Sequence, residues 1–221
     1  MKIMFLRHPG ALAAFALCAV LVLLVGTGAL AASSNVVPPK GKVAGHGYAY
    51  WMQRHWQFAY GLTAAAAQSP NVCHVLTANG TKVAWLSGPV SKGRHTCSEP
   101  VGRPVYVNLS SVACDTFKGE HPGFGTSDAQ LQLCSRKYFA QSGPPTATVD
   151  GQTIDVTALV TGTGGFPIHA VAGNPIGVPA GNGRAAAYGV GLLFSGFSKG
   201  THTIHCAVGD GEDLTWVVRV S

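Results

Sequence analysis

The chain has 221 residues, of which 47% are hydrophobic and 11% charged, with 29 Gly and 13 Pro. A composition this apolar buries a core, which excludes disorder, and so many turn formers exclude a helical bundle in favour of short strands. The formal charge of +6 comes from Lys and Arg scattered singly, without a basic cluster, so nucleic acid is not an expected partner.

The N-terminus reads as an export signal. Lys2 and Arg7 supply the positive start, Ala11 to Val25 is an apolar run, and Ala29-Leu30-Ala31 offers the small residues a signal peptidase reads. Residues 1–31 are expected to be a signal peptide, 32–44 a polar, Pro-containing linker, and 45–221 a single domain. A retained anchor is the competing reading, since Ala11 to Ala32 is long enough to span a bilayer. Cys18 follows Phe15-Ala16-Leu17, without the small residue that precedes the cysteine of a lipoprotein signal. Cleavage predicts a secreted or extracytoplasmic protein with no membrane contact afterwards, and removes two positive charges with Lys2 and Arg7.

His46 to Ala67 is the strongest helical segment. At 100° per residue Tyr48, Trp51, Met52, His55, Ala59 and Leu62 share one face, with Gln53, Arg54 and Gln57 opposite. Strands follow at Val72 to Leu76, Lys82 to Leu86, Arg94 to Cys97 and Val105 to Leu109, separated by Gly, Pro or Asn turns. A second helix is predicted over Asp128 to Gln141, with Ser127 and Gln130 as a capping box and Leu131, Cys134 and Tyr138 as its inward stripe. Ser142-Gly143-Pro144-Pro145 ends it. Thr146 to Val149 and Gln152 to Val156 flank the hairpin pair Asp150-Gly151. Thr201 to Ala207 and Leu214 to Val220 flank Gly209-Asp210-Gly211, with Leu214, Trp216, Val218 and Val220 inward and Thr215, Val217 and Arg219 outward. These strands predict a mainly β fold, a β-sandwich of jelly-roll or Ig-like type with two accessory α-helices.

After cleavage Cys73, Cys97, Cys114, Cys134 and Cys206 remain. In an oxidising compartment they read as disulfides, and no C-x-x-C pair suggests a zinc or redox site. Two bridges among five cysteines leave many arrangements. Cys73–Cys97 would staple consecutive strands side by side, and Cys114–Cys134 would tie a strand end to the inward stripe of the second helix. Cys206 shares a strand face with Ile204 and reads as a small core residue.

The runs Tyr48-Ala-Tyr-Trp51-Met-Gln-Arg-His55-Trp56-Gln57-Phe58, Val83-Ala-Trp85-Leu86-Ser-Gly88, Arg94-His-Thr96-Cys97, Val105-Tyr-Val-Asn108 and Gly200-Thr-His202-Thr-Ile-His205 span nearly the whole of the exported part. They resemble an uncharacterised family of secreted bacterial β-rich proteins with a Tyr/Trp-rich first helix and a closing Gly-Thr-His-Thr-Ile-His strand. The resemblance implies an exported β-rich architecture and carries over no catalytic residue. The chain departs from that pattern at His55 and Phe58, where relatives tend to have Trp, and at Cys206, where they tend to have an aromatic.

Several patterns carry chemistry on paper. Gly196-Phe-Ser198-Lys-Gly200 matches the G-x-S-x-G elbow of α/β-hydrolases, but a strand rather than a helix is predicted after it, so it reads as a turn. His202 and His205 on one strand point to opposite faces and do not share a metal ion. Cys73-His74 and His95-Thr-Cys97 invite a thiol nucleophile, with which disulfide pairing competes. Asp210, Glu212 and Asp213 lack the spaced ligands of a calcium loop and read as a solvated hairpin tip. Asn79-Gly-Thr81 and Asn108-Leu-Ser110 are glycosylation sequons. On the first helix Trp51 and His55 lie in the apolar face, Trp56 at its margin, and Tyr50 and Tyr60 toward solvent. Aromatic faces stack on sugars or partners, so Trp51, His55 and Trp56 are the candidate ligand-binding residues, with core packing as the competing role. No catalytic residue, metal or cofactor is assigned. The expected function is an exported binding or envelope-associated structural module whose partner is a carbohydrate or an envelope protein, with an extracellular glycan or peptide hydrolase as the alternative.

Overall fold

Alternating burial along the strands sorts the chain into two stacked sheets with a helix layer outside one of them. The structure is a computed structural model and describes residues 35–67, 73–86, 93–118, 123–143, 145–208 and 212–221. The expected signal peptide, the start of the linker, Val72, Pro144 and the Gly209-Asp210-Gly211 turn lie outside these residues, as does the Asp210 member of the acidic cluster. The first sheet runs β1 (Cys73–Ala78), β2 (Thr81–Leu86), β4 (Val105–Asp115), β9 (Gly181–Phe194), β7 (Thr161–Gly162), with β8 (Phe166–Ala170) also paired to β9. The second runs β3 (Gly93–Glu99), β11 (Glu212–Val220), β10 (Gly200–Val208), β5 (Thr146–Val149), β6 (Gln152–Ile154). The mainly β sandwich with accessory helices is the expected class. Its β2–β4 and β3–β11 ladders are parallel, whereas jelly-roll and Ig-like sandwiches are built antiparallel.

Between the sheets the core is mainly aliphatic. By alternation β4 sends Val105, Val107 and Leu109 inward and β9 sends Val190, Leu192 and Phe194, to meet Ile204, Cys206, Trp216 and Val218 of the second sheet. Each such side chain contributes about 1.5–3 kcal/mol on burial. Trp216, Val218 and Val220 are buried as the period predicts, but so is Val217, which flanking Thr203 and Thr96 cover on a central strand. The Asp150-Gly151 hairpin forms, both residues taking the positive φ, +50° and +78°, that a two-residue turn of this hand requires.

Three expectations change. The first helix is α1 (Tyr48–Tyr60), stopped by Gly61, whose N–H bonds Gln57 O at 3.2 Å; a four-residue helix α2 (Ala64–Ala67) follows. The described part of the expected linker is docked, not free: Val36 bridges Phe194, the Val37 N–H donates to Leu193 O at 2.7 Å, and Val37 and Val43 are buried. The longest strand, β9, was not expected. Val36, β7 and β8 line its outer edge in turn, so three short pieces close what would be one long exposed edge.

The second predicted helix is α3 (Asp128–Ser142), with the Ser127 side chain accepting from the Gln130 N–H at 3.3 Å. The reciprocal half of the capping box is displaced by one residue, because Gln130 Oε1 accepts from the Thr126 N–H and hydroxyl at 2.8 Å each. Its buried stripe is Leu131, Ser135 and Phe139, with Cys134 and Tyr138 half-buried beside it. Among the described residues no helix is long and apolar enough to cross a membrane.

Both expected disulfides are present, and Cys206 belongs to neither of them and is buried, its Sγ 3.8 Å from Leu109 O. Cys114–Cys134 ties β4 to α3 as the helix stripe suggested. Cys73–Cys97 does not join neighbouring strands. It links β1 and β3, which are edge strands of different sheets, and so pins the two layers together.

Candidate functional site

The outer face of the first sheet is shaped by what β9 lacks. On that face β9 presents Gly183, Ala185, Ala187, Gly189 and Gly191, a shallow trough into which α1 sets its large side chains. A β-carbon at Gly189 would lie 2.4 Å from Ser110 O, and one at Gly191 2.8 Å from the Tyr106 ring. Opposite Gly189 and Gly191 the β4 register slips by one residue between Asn108 and Ser110. That bulge brings Asn108 and Ser111 to the same side, where the Ser111 hydroxyl donates to Asn108 Oδ1 at 3.0 Å.

This is where the three candidate residues sit. Trp51 is 1% exposed and stacks on Tyr106 at 6.3 Å, so both faces of its ring are inside the protein. Trp56 is half-buried and its indole N–H donates to Ser111 Oγ at 3.0 Å. His55 meets Trp56 and Trp85 edge-on at 5.6 and 5.4 Å, and its buried Nδ1 finds no hydrogen-bond partner among the described residues. Burial lowers the His55 pKa to about 4, which keeps the imidazole neutral at pH 7. Half-buried Phe58 and His74 continue the cluster over Trp85, at 4.3 and 5.5 Å.

Tyr60, expected toward solvent, is fully buried. Its hydroxyl donates to Asp115 Oδ2 at 2.6 Å, and Asp115 Oδ1 accepts from the Phe117 N–H at 2.8 Å. Burial, then the Asp115 charge and hydrogen bond, push the Tyr60 pKa up. The helical period placed Tyr60 outside because it presumes a single packing face. Here β8 and the segment after it wrap a second side of α1, with Gln57 donating to Pro167 O and the Val171 N–H to Tyr60 O. The result is a buried arc wider than the apolar stripe.

On the opposite face of the first sheet, beside α3, lies an open cleft of about 240 Å³ lined by Gln132, Ser135, Arg136, Gly162, Thr163, Gly164, Ala187 and Tyr188. Each wall is held. The Cys114–Cys134 bond anchors the helix one residue before Ser135. Across from it Thr163 doubles as a strand partner, its hydroxyl accepting from the Ala187 N–H at 2.8 Å. The Tyr188 ring covers Gly162, meets Phe139 edge-on at 5.6 Å, and carries the Arg136 guanidinium 5.2 Å from its centre. Below the rim Arg184 grips Asp128 through two bonds of 2.8 and 2.6 Å, which holds that carboxyl below its ordinary range. Nothing in the sequence pattern pointed here: the lining residues are mostly polar or small, match no motif, and come from three segments spread over residues 132–188.

The closing-strand histidines are each paired. His202 Nδ1 lies 2.8 Å from Asp150 Oδ2 and Nε2 3.0 Å from Ser198 O, with the ring stacked on Phe197 at 4.6 Å. Both ring nitrogens are thereby occupied, and the histidine ties the β5–β6 turn to the β9–β10 connection. His205 Nε2 lies 2.9 Å from Asp213 on the exposed face. Ser198 sits in a turn that runs into β10, not into a helix. Comparison of the chain with protein-family models, with curated proteins and with solved structures returned no match.

Proposed function

We propose that the protein is exported and acts outside the cytoplasm as a disulfide-braced binding module, taking its ligand in the α3–β9 cleft. The observation that carries this reading is the Cys114–Cys134 bond. It is a linkage of oxidising compartments, and it fixes the helix that supplies Gln132, Ser135 and Arg136 to the cleft. The positively charged, apolar N-terminal segment ending in Ala29-Leu30-Ala31 supports export. A carbohydrate or a protein of the cell envelope is the partner class that such a location offers. The aromatic residues of α1 serve this module as its outer packing layer, with the exposed edges of His55 and Trp56 left to a secondary contact. The competing hydrolase reading would draw on the histidine–carboxylate pairs His202–Asp150 and His205–Asp213, but the second nitrogen of His202 already faces a backbone carbonyl instead of a nucleophile, and the other pair lies on an exposed strand face.

The test is expression in an exporting bacterium, followed by mass spectrometry of the released protein with and without reductant. The reading expects an N-terminus near Ala32 and both disulfide-linked peptides. A chain retained in the membrane from Met1, or one recovered with all thiols reduced, overturns it.

A further inference from the structure

We propose that the α3–β9 cleft binds a hydroxylated carboxylate of single-sugar size, a sugar acid being the class it fits. The inference rests on reading the chain as a binding module and names the ligand that module takes.

Charge decides the first part. Among the described residues Arg136 forms no ion pair, and no Asp or Glu lines the cleft. A guanidinium held over a ring face by a cation–π contact keeps N–H groups free, and its fork matches a carboxylate in two-point geometry. Tyr188 cannot swing away to release it, being packed on Gly162 and Phe139. The cation is therefore preorganised without a partner of its own.

The hydroxyl part follows from the α3 wall. Ser135 is fully buried, and its hydroxyl donates to Gln132 O at 3.2 Å. It shapes the floor of the cleft and presents no surface of its own to a ligand. The exposed Gln132 amide beside it supplies both a donor and an acceptor. The opposite wall is open backbone at Gly164, where an added β-carbon would meet nothing within 4 Å. A volume of about 240 Å³ is below that of sites that enclose a drug-sized molecule, which limits the occupant to one ring or a pendant group.

The test is a nitrogen-15 chemical-shift titration of the disulfide-intact, processed protein with sodium glucuronate, with glucose and with acetate. Saturable shifts at Ser135, Arg136, Gly162 and Gly164 with glucuronate, weaker with either of the others, are the expected result. Arg136 is exposed, so Arg136→Gln should fold normally and weaken glucuronate binding by about tenfold or more, with Arg136→Lys in between. If glucose binds as tightly as glucuronate, or Arg136→Gln changes nothing, the carboxylate assignment falls while the binding-module reading stands. If acetate matches glucuronate, the hydroxyl component is wrong. If no probe shifts the cleft, this inference and the cleft as the module's ligand site fall together.

Discussion

The two long helices are held by opposite means. Helix α1 has no side-chain N-cap, no acidic residue in its first turn and no basic residue in its last, so little in its own sequence keeps it helical. It persists because Tyr48, Trp51, Met52 and Tyr60 are buried in the Gly/Ala trough of β9 and because its aromatic side chains donate to Ser111 and Asp115 of β4. Helix α3 carries a Ser127 cap, Asp128 at its positive end, and Gly143 at +72° beyond its last turn, yet it buries only Leu131, Ser135 and Phe139 fully. Its place is set by a covalent bond to β4, helped by the Arg184–Asp128 ion pair to β9. Burial therefore makes α1 a structural layer, while local caps and a disulfide leave α3 with a free, charged face for the cleft.

The largest way to break this contrast is to hollow the α1 layer. Trp51→Ala should lower stability by about 3–5 kcal/mol in urea unfolding, and a loss below 1 kcal/mol would mean that the trough is not what holds the helix. Replacing Cys114 and Cys134 together by Ala should cost about 3 kcal/mol, read in the same assay against protein treated with reductant. An acid titration sharpens the α1 side. His55 is neutral when folded, with a pKa near 4, against about 6.5 when unfolded, so the unfolded chain takes the proton first. Stability from this group is intact above about pH 6.5, falls as pH drops toward 4 and is level below that, a loss on the order of 3 kcal/mol. His55→Phe should remove that part of the slope; an unchanged slope would place the titrating group elsewhere. The smallest effect belongs to α3, where Ser127→Ala should cost about 1 kcal/mol.

Local signals were legible and shape complementarity was not. Asp150-Gly151 announced its hairpin because few residue pairs tolerate that turn, and Ser127 announced α3 because a cap is a local hydrogen bond. The cysteine pairs followed from which elements each thiol sat on, although β1 and β3 proved to be edges of separate sheets. Strand β9 was missed for a physical reason. Gly189 and Gly191 read as turn formers, but they are small because Ser110 and Tyr106 approach them closely, and that pressure comes from β4, some eighty residues away in sequence. The same holds for the cleft. Arg136 and Tyr188 mean nothing until α3 lies on β9.

The most direct measurement is native-state hydrogen exchange, resolved by peptide, on the parent protein, on Trp51→Ala, and on the variant lacking Cys114 and Cys134. The account predicts that loss of the disulfide deprotects residues 128–142 while residues 48–60 keep their protection, and that Trp51→Ala does the reverse. Equal loss of protection in both helices in either variant would show that they are secured by one common core, and would contradict the division between a packed structural layer and a tethered binding face.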